Sequence, residues 1–226
     1  QLPDALVVCC PETETGAIAH LPDSIDLSKY HAIACGPGLT PKADQAVKQV
    51  LTCSCPLVLD ADGLNVVADL GTRETLVQRQ APTVLTPHPG EFKRLFPDLA
   101  DQMSDRIQAV QTAATQSGVV VLIKGARVAI ANPQGNVWIN PESTPALARG
   151  GSGDVLTGLL GGLLAQNAAA SSTHAIEAIV QSAVWWHAQA GILAKEDRTE
   201  LGVDAATLAH YLIPTLRQQL QRFSIA

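Results

Sequence analysis

Short apolar runs that stop at glycine, proline or aspartate recur along this chain, and they limit its fold more than any other feature. Ala5-Leu6-Val7-Val8 is followed by His31-Ala32-Ile33-Ala34 before CGPG, Pro56-Leu57-Val58-Leu59 before DADG, Thr83-Val84-Leu85 before TPHPG and Val119-Val120-Val121-Leu122-Ile123 before KG. Each run is too short for a helix and is continuous rather than alternating, as in strands buried on both faces. Helical periodicity fills the gaps at 41–53, 61–70, 90–96 and 104–117. Strand and helix in alternation require a parallel sheet covered on both sides, so the expected fold is an α/β three-layer α/β/α sandwich. After Lys124 the segment ARVAIANPQGNVWIN reads as strand, Asn132-Pro133-Gln134-Gly135 turn and strand, an edge hairpin on the mostly parallel sheet. From Asp154 onward the chain is helical. Ile176, Ile179, Val180, Ala183, Val184 and His187 or Ala188 fall on adjoining faces of one helix, and Asp204 is placed to cap the last.

Composition narrows the function. The 226 residues suit one domain over 1–226, and 46% hydrophobic with 16% charged residues describes a folded, aliphatic interior. A net charge of −6 without a Lys/Arg run argues against nucleic acid and anionic membrane as partners, so an anionic ligand has to be held by local geometry. The opening QLPDALVVCCPE has no basic segment and is not a signal peptide, and apolar stretches break before membrane-spanning length. The five cysteines, Cys9, Cys10, Cys35, Cys53 and Cys55, form no metal-spaced pair and read as reduced, buried thiols of a cytoplasmic protein.

Ligands of such sheets bind beyond the carboxyl ends of the strands, where this chain places GPG, DADGLN, TPHPGE and KG. The segment Gly150-Gly151-Ser152-Gly153-Asp154 joins them immediately before an apolar helix. Backbone N–H groups of Gly151, Ser152 and Gly153 at a helix start, aligned with its dipole, suit a phosphate. Asp154 is either a helix cap or a base for a nearby hydroxyl, and beside an anion hole the base is the better use of a carboxylate. No G-x-x-x-x-G-K-[ST] occurs, and GGSGDVL lacks the last glycine of G-x-G-x-x-G, which excludes P-loop and Rossmann readings.

Taken in order, ACGPGL, LDADGLN, TPHPGEFKRL, LIKGARVAIA and ALARGGSGDVLTGLLGGLLAQ resemble the ADP/ATP-dependent NAD(P)H-hydrate dehydratases of the ribokinase-like superfamily. The resemblance implies repair of the hydrated cofactors NADHX and NADPHX, with ADP, or less favoured ATP, as co-substrate and Mg2+ carried on its phosphates. Phosphorylating the hydrate hydroxyl makes it a leaving group that the ring nitrogen lone pair can expel. By the same resemblance the substrate lies against Gly38, His88, Pro89, Gly90, Glu91, Phe92, Lys93, Arg94 and the catalytic Asp154. The nucleotide lies against Lys124, Gly125, Ala126, Arg127, Val128, Gly150, Gly151, Ser152 and Gly153.

Asp60 and Asn65 rank second, as groups that orient substrate or metal-bound water, whereas Asp62-Gly63 alone would be an ordinary turn. His88 could simply fill a turn framed by prolines, and Lys124 could simply be solvated. No dedicated metal ligands are visible; His20, His31, His174, His187 and His210 form no ligand pattern.

Against the family pattern, Ser152 replaces a threonine, Val128 replaces a threonine, and Ser143-Thr144 replaces a glycine-asparagine pair whose loop normally needs glycine freedom. The resemblance also implies that about 50 residues usual at the front of the domain are missing here. It further implies a homo-oligomer and a fused or partner NAD(P)H-hydrate epimerase. Two rivals stand beside the dehydratase: a ribokinase-like kinase of a small alcohol, against which the His88 and Glu91 segment weighs, and an inactive nucleotide-binding fragment.

Overall fold

The computed structural model describes residues 5–170 and 175–224. Six strands form one sheet in sequential order: β1 (Ile33–Cys35), β2 (Leu57–Leu59), β3 (Thr83–Leu85), β4 (Val120–Ile123), β5 (Val128–Ala131) and β6 (Val137–Asn140). Strands β1 to β4 are parallel, and β5 and β6 add to β4 as antiparallel ribbons. The hairpin turns at 132–135, where the Asn132 carbonyl accepts from the Gly135 N–H at 3.0 Å.

Helices α1 (Asp44–Leu51), α2 (Ala61–Leu70), α3 (Thr72–Leu76), α4 (Pro89–Leu95) and α5 (Arg106–Ser117) lie in the crossovers of the parallel part. Strands added in one direction through right-handed crossovers leave every such helix on one face. The period of two then sorts the strand residues. Leu57, Leu59, Leu85, Val121 and Ile123 pack with Val47, Leu64, Phe92 and Val110 of that helical layer. Their alternates Val58, Val84, Val120 and Leu122 pack on the opposite face against Leu156, Leu160 and Leu164 of α6 (Ser152–Ala169) and Val180 and Val184 of α7 (Ile176–Arg198). The last helix, α8 (Ala205–Ser224), docks on α7, where Trp186 Nε1 donates to the Leu212 carbonyl at 2.7 Å. Asp204 caps it, accepting from the Thr207 N–H at 2.7 Å.

Two expectations are corrected and an open alternative is closed. The run at 5–8 is no strand: it pairs with nothing among the described residues, and Leu6 is 98% exposed. The alternative of Asp62-Gly63 as an isolated turn is excluded, since the pair lies in the first turn of α2, within the helical period read over 61–70 and entered through Ala61 at φ 46°. Of the cysteines, only Cys35 and Cys55 are buried, while Cys9 is exposed. Helix α3, after Gly71, has no counterpart in the sequence reading. His174 lies outside the described residues.

One glycine fixes how β1 and β2 end together. At Gly36, with φ +130°, an added Cβ would lie 1.7 Å from the Asp60 carbonyl oxygen. Gly36→Ala is therefore expected to destabilise the protein by roughly 2–5 kcal/mol in urea unfolding. Gly38→Ala, with φ +74° but nothing within 4 Å, should lose only the backbone strain, about 1 kcal/mol. Equal losses would show that the close approach is not what demands glycine.

Candidate active site

The carboxyl ends of the parallel strands carry a buried ion pair. Asp60 follows β2 and is 1% exposed. Its Oδ1 accepts from Lys124 Nζ at 2.6 Å, and its Oδ2 accepts from Thr157 Oγ1 at 2.7 Å. Lys124 follows β4, and its N–H donates to the Pro87 carbonyl at 2.9 Å, so the ends of β3 and β4 stay paired past the last strand residues. Arg106 at the start of α5 donates back to the carbonyls of Ile123 and Lys124 at 2.9 and 3.1 Å. That brace was invisible in sequence, because an arginine at a helix start carries no mark of a partner 17 residues away.

The TPHPGE segment builds the next side. His88 is the N-cap of α4, with Pro89 as the first helical residue. The His88 Nδ1 accepts from the N–H groups of Gly90 and Glu91 at 2.9 and 3.2 Å, and Glu91 Oε2 accepts from the His88 N–H at 2.7 Å. Histidine replaces the usual Ser or Asp in a reciprocal capping box. Since Nδ1 is an acceptor, the ring proton of the neutral form sits on Nε2, which is 3.5 Å from Glu91 Oε1. Glu91 is itself buried, and its Oε2 lies 4.0 Å from Lys124 Nζ. Lys124 thus stands between two buried carboxylates, and His88, Glu91, Asp60 and Lys124 form one connected group.

Helix α6 closes the site from the opposite layer. Gly151, at φ +83°, is its N-cap. A Cβ on Gly153 would be 3.2 Å from Lys124 Nζ and 3.6 Å from Asp60 Oδ2, so the bare backbone lets the helix start approach the ion pair. Of the three N–H groups expected to be open, that of Ser152 donates to the Arg149 carbonyl at 3.3 Å, because the turn tightens before the helix. The N–H groups of Gly151 and Gly153 find no backbone acceptor among the described residues. Asp154 occupies the first turn of α6 rather than the capping position, is exposed, and has no hydrogen bond or ion pair among the described residues.

Beside this group lies a cavity of about 420 Å³. It is lined by Lys124, Gly125, Ala126 and Val128, by the loop 142–148 after β6, by Ser152, Gly153 and Leu156 of α6, and by Val184, His187 and Ala188 of α7. Arg127, Gly150, Gly151 and Asp154 are outside that lining. Thr144 is extended at φ −144°, so the Ser143-Thr144 loop needs no glycine conformation, contrary to expectation. Val128 packs against the core instead of offering a hydroxyl.

The other residues anticipated at the site fall in different surroundings. Phe92 is fully buried against Phe96, so its side chain holds α4 and is closed to a ligand. Asn65 is occupied by Asp62 and by Arg94, which ties α2 to α4. Gly90 and Lys93 are exposed on α4. Gly38 sits open beyond β1 at the same edge.

His187 is the residue that sequence reasoning missed. Its Nε2 donates to the Ser152 carbonyl at 2.9 Å and lies 3.3 Å from Ser152 Oγ, which anchors the start of α6 to α7. Its only signal was a histidine on an apolar helix face. Burial lowers its pKa to about 4 from 6.5. A histidine kept neutral in the fold contributes stability that is complete above its unfolded pKa and is lost as pH falls from about 6.5 towards 4, about 3 kcal/mol in all. Urea unfolding across that interval should show the loss, and His187→Gln, which keeps a donor but cannot titrate there, should flatten it. Identical pH profiles for both proteins would remove His187 as the cause.

Residues 4–214 match the family described as NAD(P)H-hydrate dehydratase. The chain is 54% identical over 220 residues to the bifunctional NAD(P)H-hydrate repair enzyme Nnr of Thermosynechococcus vestitus, covering 97% of this chain and 41% of that protein. It therefore spans less than half the length of that relative. The ADP/ATP-dependent NAD(P)H-hydrate dehydratase of Bacillus subtilis, crystallized with ATP/Mg2+ and soaked with CoA, is similar with a TM-score of 0.72 at 33% identity, over 88% of this chain and 68% of that chain. A ribokinase-like superfamily protein of Enterococcus faecalis is similar with a TM-score of 0.66 at 25% identity, over 84% of this chain and 65% of that chain. With its strand-end motifs gathered at one edge of the same fold, the chain belongs to the NAD(P)H-hydrate dehydratase family.

Proposed function

We propose that this chain, acting as one unit over residues 1–226, removes water from NADHX and NADPHX with consumption of ADP or ATP. The observation that carries the reading is the placement of Lys124 and the start of α6 side by side on a cavity, with the Asp154 carboxylate one residue beyond its rim and unpaired among the described residues. The cavity takes the nucleotide. Lys124 meets its phosphates while Asp60 and Glu91 hold the ammonium in place. The N–H of Gly153, at the positive end of α6, stabilises charge on the transferring phosphoryl group.

The hydrate lies on the other side of the rim, against Gly38, the His88 to Arg94 segment and Asp154. Asp154 accepts the proton of the hydrate hydroxyl as its oxygen attacks the terminal phosphorus, and the bond to the leaving nucleotide oxygen breaks. The ring nitrogen lone pair then expels phosphate, and loss of the neighbouring carbon's proton restores the dihydropyridine. With ADP the products beside the repaired cofactor are AMP and phosphate.

No group of three or more His, Cys, Asp or Glu that could hold a metal exists among the described residues. The residues therefore suit Mg2+ carried by nucleotide phosphates and water, where it neutralises phosphate charge. No helix among the described residues is long and apolar enough to cross a membrane. A cytoplasmic place for the reaction and assembly as a homo-oligomer belong to the same proposal. The bifunctional character of the relative supports an epimerase, fused or associated, that supplies the substrate epimer.

Incubation with NADHX, Mg2+ and ADP, and separately with ATP, should restore dihydronicotinamide absorbance in step with nucleotide consumed. No recovery with either nucleotide refutes the dehydratase, and accumulation of a stable phosphate ester would point to a kinase. Asp154→Asn should lower kcat by about 100- to 10,000-fold while nucleotide affinity stays within a few-fold. An unchanged rate would strip Asp154 of its part.

A further inference from the structure

We infer that Cys53 and Cys55 form a peroxide-reactive dithiol that closes reversibly to a disulfide. The pair lies in the loop between α1 and β2, at the amino ends of the strands and so at the opposite edge of the sheet from the site above. Cys55 is buried and its S–H points at Cys53 Sγ across 3.5 Å. Cys53 is partly exposed on a surface cleft of about 820 Å³ that also contains Ser54, Gln78 and Arg79.

Arg79 gives the two sulfurs different roles. Its guanidinium donates to the carbonyls of Leu51, Cys53 and Cys55, and its Nε donates to Thr83 Oγ1 at 2.9 Å. Held in this way, Nη1 and Nη2 stand 3.9 and 3.8 Å from Cys53 Sγ. A fixed guanidinium at that distance favours negative charge developing on the Cys53 sulfur as it reacts, whereas Cys55 lies behind it, buried. Burial pushes the Cys55 thiol up to about 11, so Cys55 keeps its proton until it is needed. The same guanidinium disfavours a metal cation at the pair, and no third ligand of the His, Cys, Asp or Glu type completes a metal site among the described residues.

The chemistry balances with a hydroperoxide as oxidant. Cys53 Sγ attacks the peroxide, the O–O bond breaks, the Cys53 thiol proton passes to the departing oxygen, and a sulfenic acid forms with release of water or alcohol. Cys55 then attacks Cys53 Sγ as its thiol proton leaves with the hydroxyl as a second water, and the S–S bond forms. Two thiols lose two electrons in all, and the peroxide gains them. The chain bends at Ser54 and Cys55 and already holds the two sulfurs 3.5 Å apart, so a small adjustment of the loop brings them to bonding distance. A dithiol reductant reverses it.

The test uses the whole chain carrying Cys9→Ser and Cys10→Ser, treated with a few equivalents of hydrogen peroxide and mapped by peptide mass spectrometry. The expected product has lost two hydrogens in the peptide containing Cys53 and Cys55 and regains them with dithiothreitol. Cys55→Ser should instead trap a dimedone-reactive sulfenic acid at Cys53, and Cys53→Ser should leave Cys55 unmodified. Arg79→Met should slow the reaction about tenfold, with circular dichroism to verify the fold. Were Cys53 and Cys55 to remain thiols under peroxide that oxidises Cys9 and Cys10 in the unsubstituted chain, or were Cys53 to pass to sulfinic acid without a disulfide, the inference fails. The unsubstituted chain distinguishes these outcomes even if a variant misfolds.

Discussion

The ion pair between Lys124 and Asp60 is the contact on which the site's architecture rests. It spans the carboxyl ends of β2 and β4 across the intervening β3, and Thr157 of α6 binds the other oxygen of the same carboxylate. Burying a carboxylate such as Asp60 is costly unless its hydrogen bonds are satisfied, and Lys124, itself only partly buried, supplies the opposite charge. Both oxygens of Asp60 are bonded here, one to each of the layers that meet at the sheet edge. The arrangement at once places an ammonium group at the cavity and docks the helix whose start faces it.

Glycine decides how close these parts come. Gly36 lets β1 end against the carbonyl of Asp60, Gly63 lets α2 start against the carbonyl of Cys35, and Gly153 lets α6 approach Lys124. Ala61, held at φ 46° directly after Asp60, marks the strained step where β2 gives way to α2. These are structural uses of glycine: the ends of β1 and β2 and the start of α2 meet backbone to backbone, and the start of α6 meets the Asp60 and Lys124 side chains. Gly38 and Gly150 differ, since open space surrounds each of them.

His88 shows how one side chain serves both needs. Its Nδ1 caps α4, which accounts for the prolines around it, and its Nε2 edge remains partly exposed beside Glu91. The capping is done by one ring atom, and the substrate contact proposed for this histidine would fall to the other. Asp154 has no such double duty. Its carboxylate has no partner among the described residues and lies outside the lining of the cavity.

The layer order, the edge hairpin, the crossover helices other than α3 and the cluster of motifs at one edge were legible in the order of residues, because each is a local pattern of apolar period and turn chemistry read within a dozen residues. The family was legible there too, through TPHPGE and GGSGD. Long-range packing alone established that Asp60 is the anchor of Lys124 while Asn65 is spent on Arg94, that Phe92 is core, and that His187 holds the start of α6. The hydrogen bonds among them join residues 29 to 64 positions apart, and no local period records a partner at that distance. The apolar run at 5–8 meets the same limit, since a strand is defined by a neighbour to bond with, and the run itself carries only the propensity.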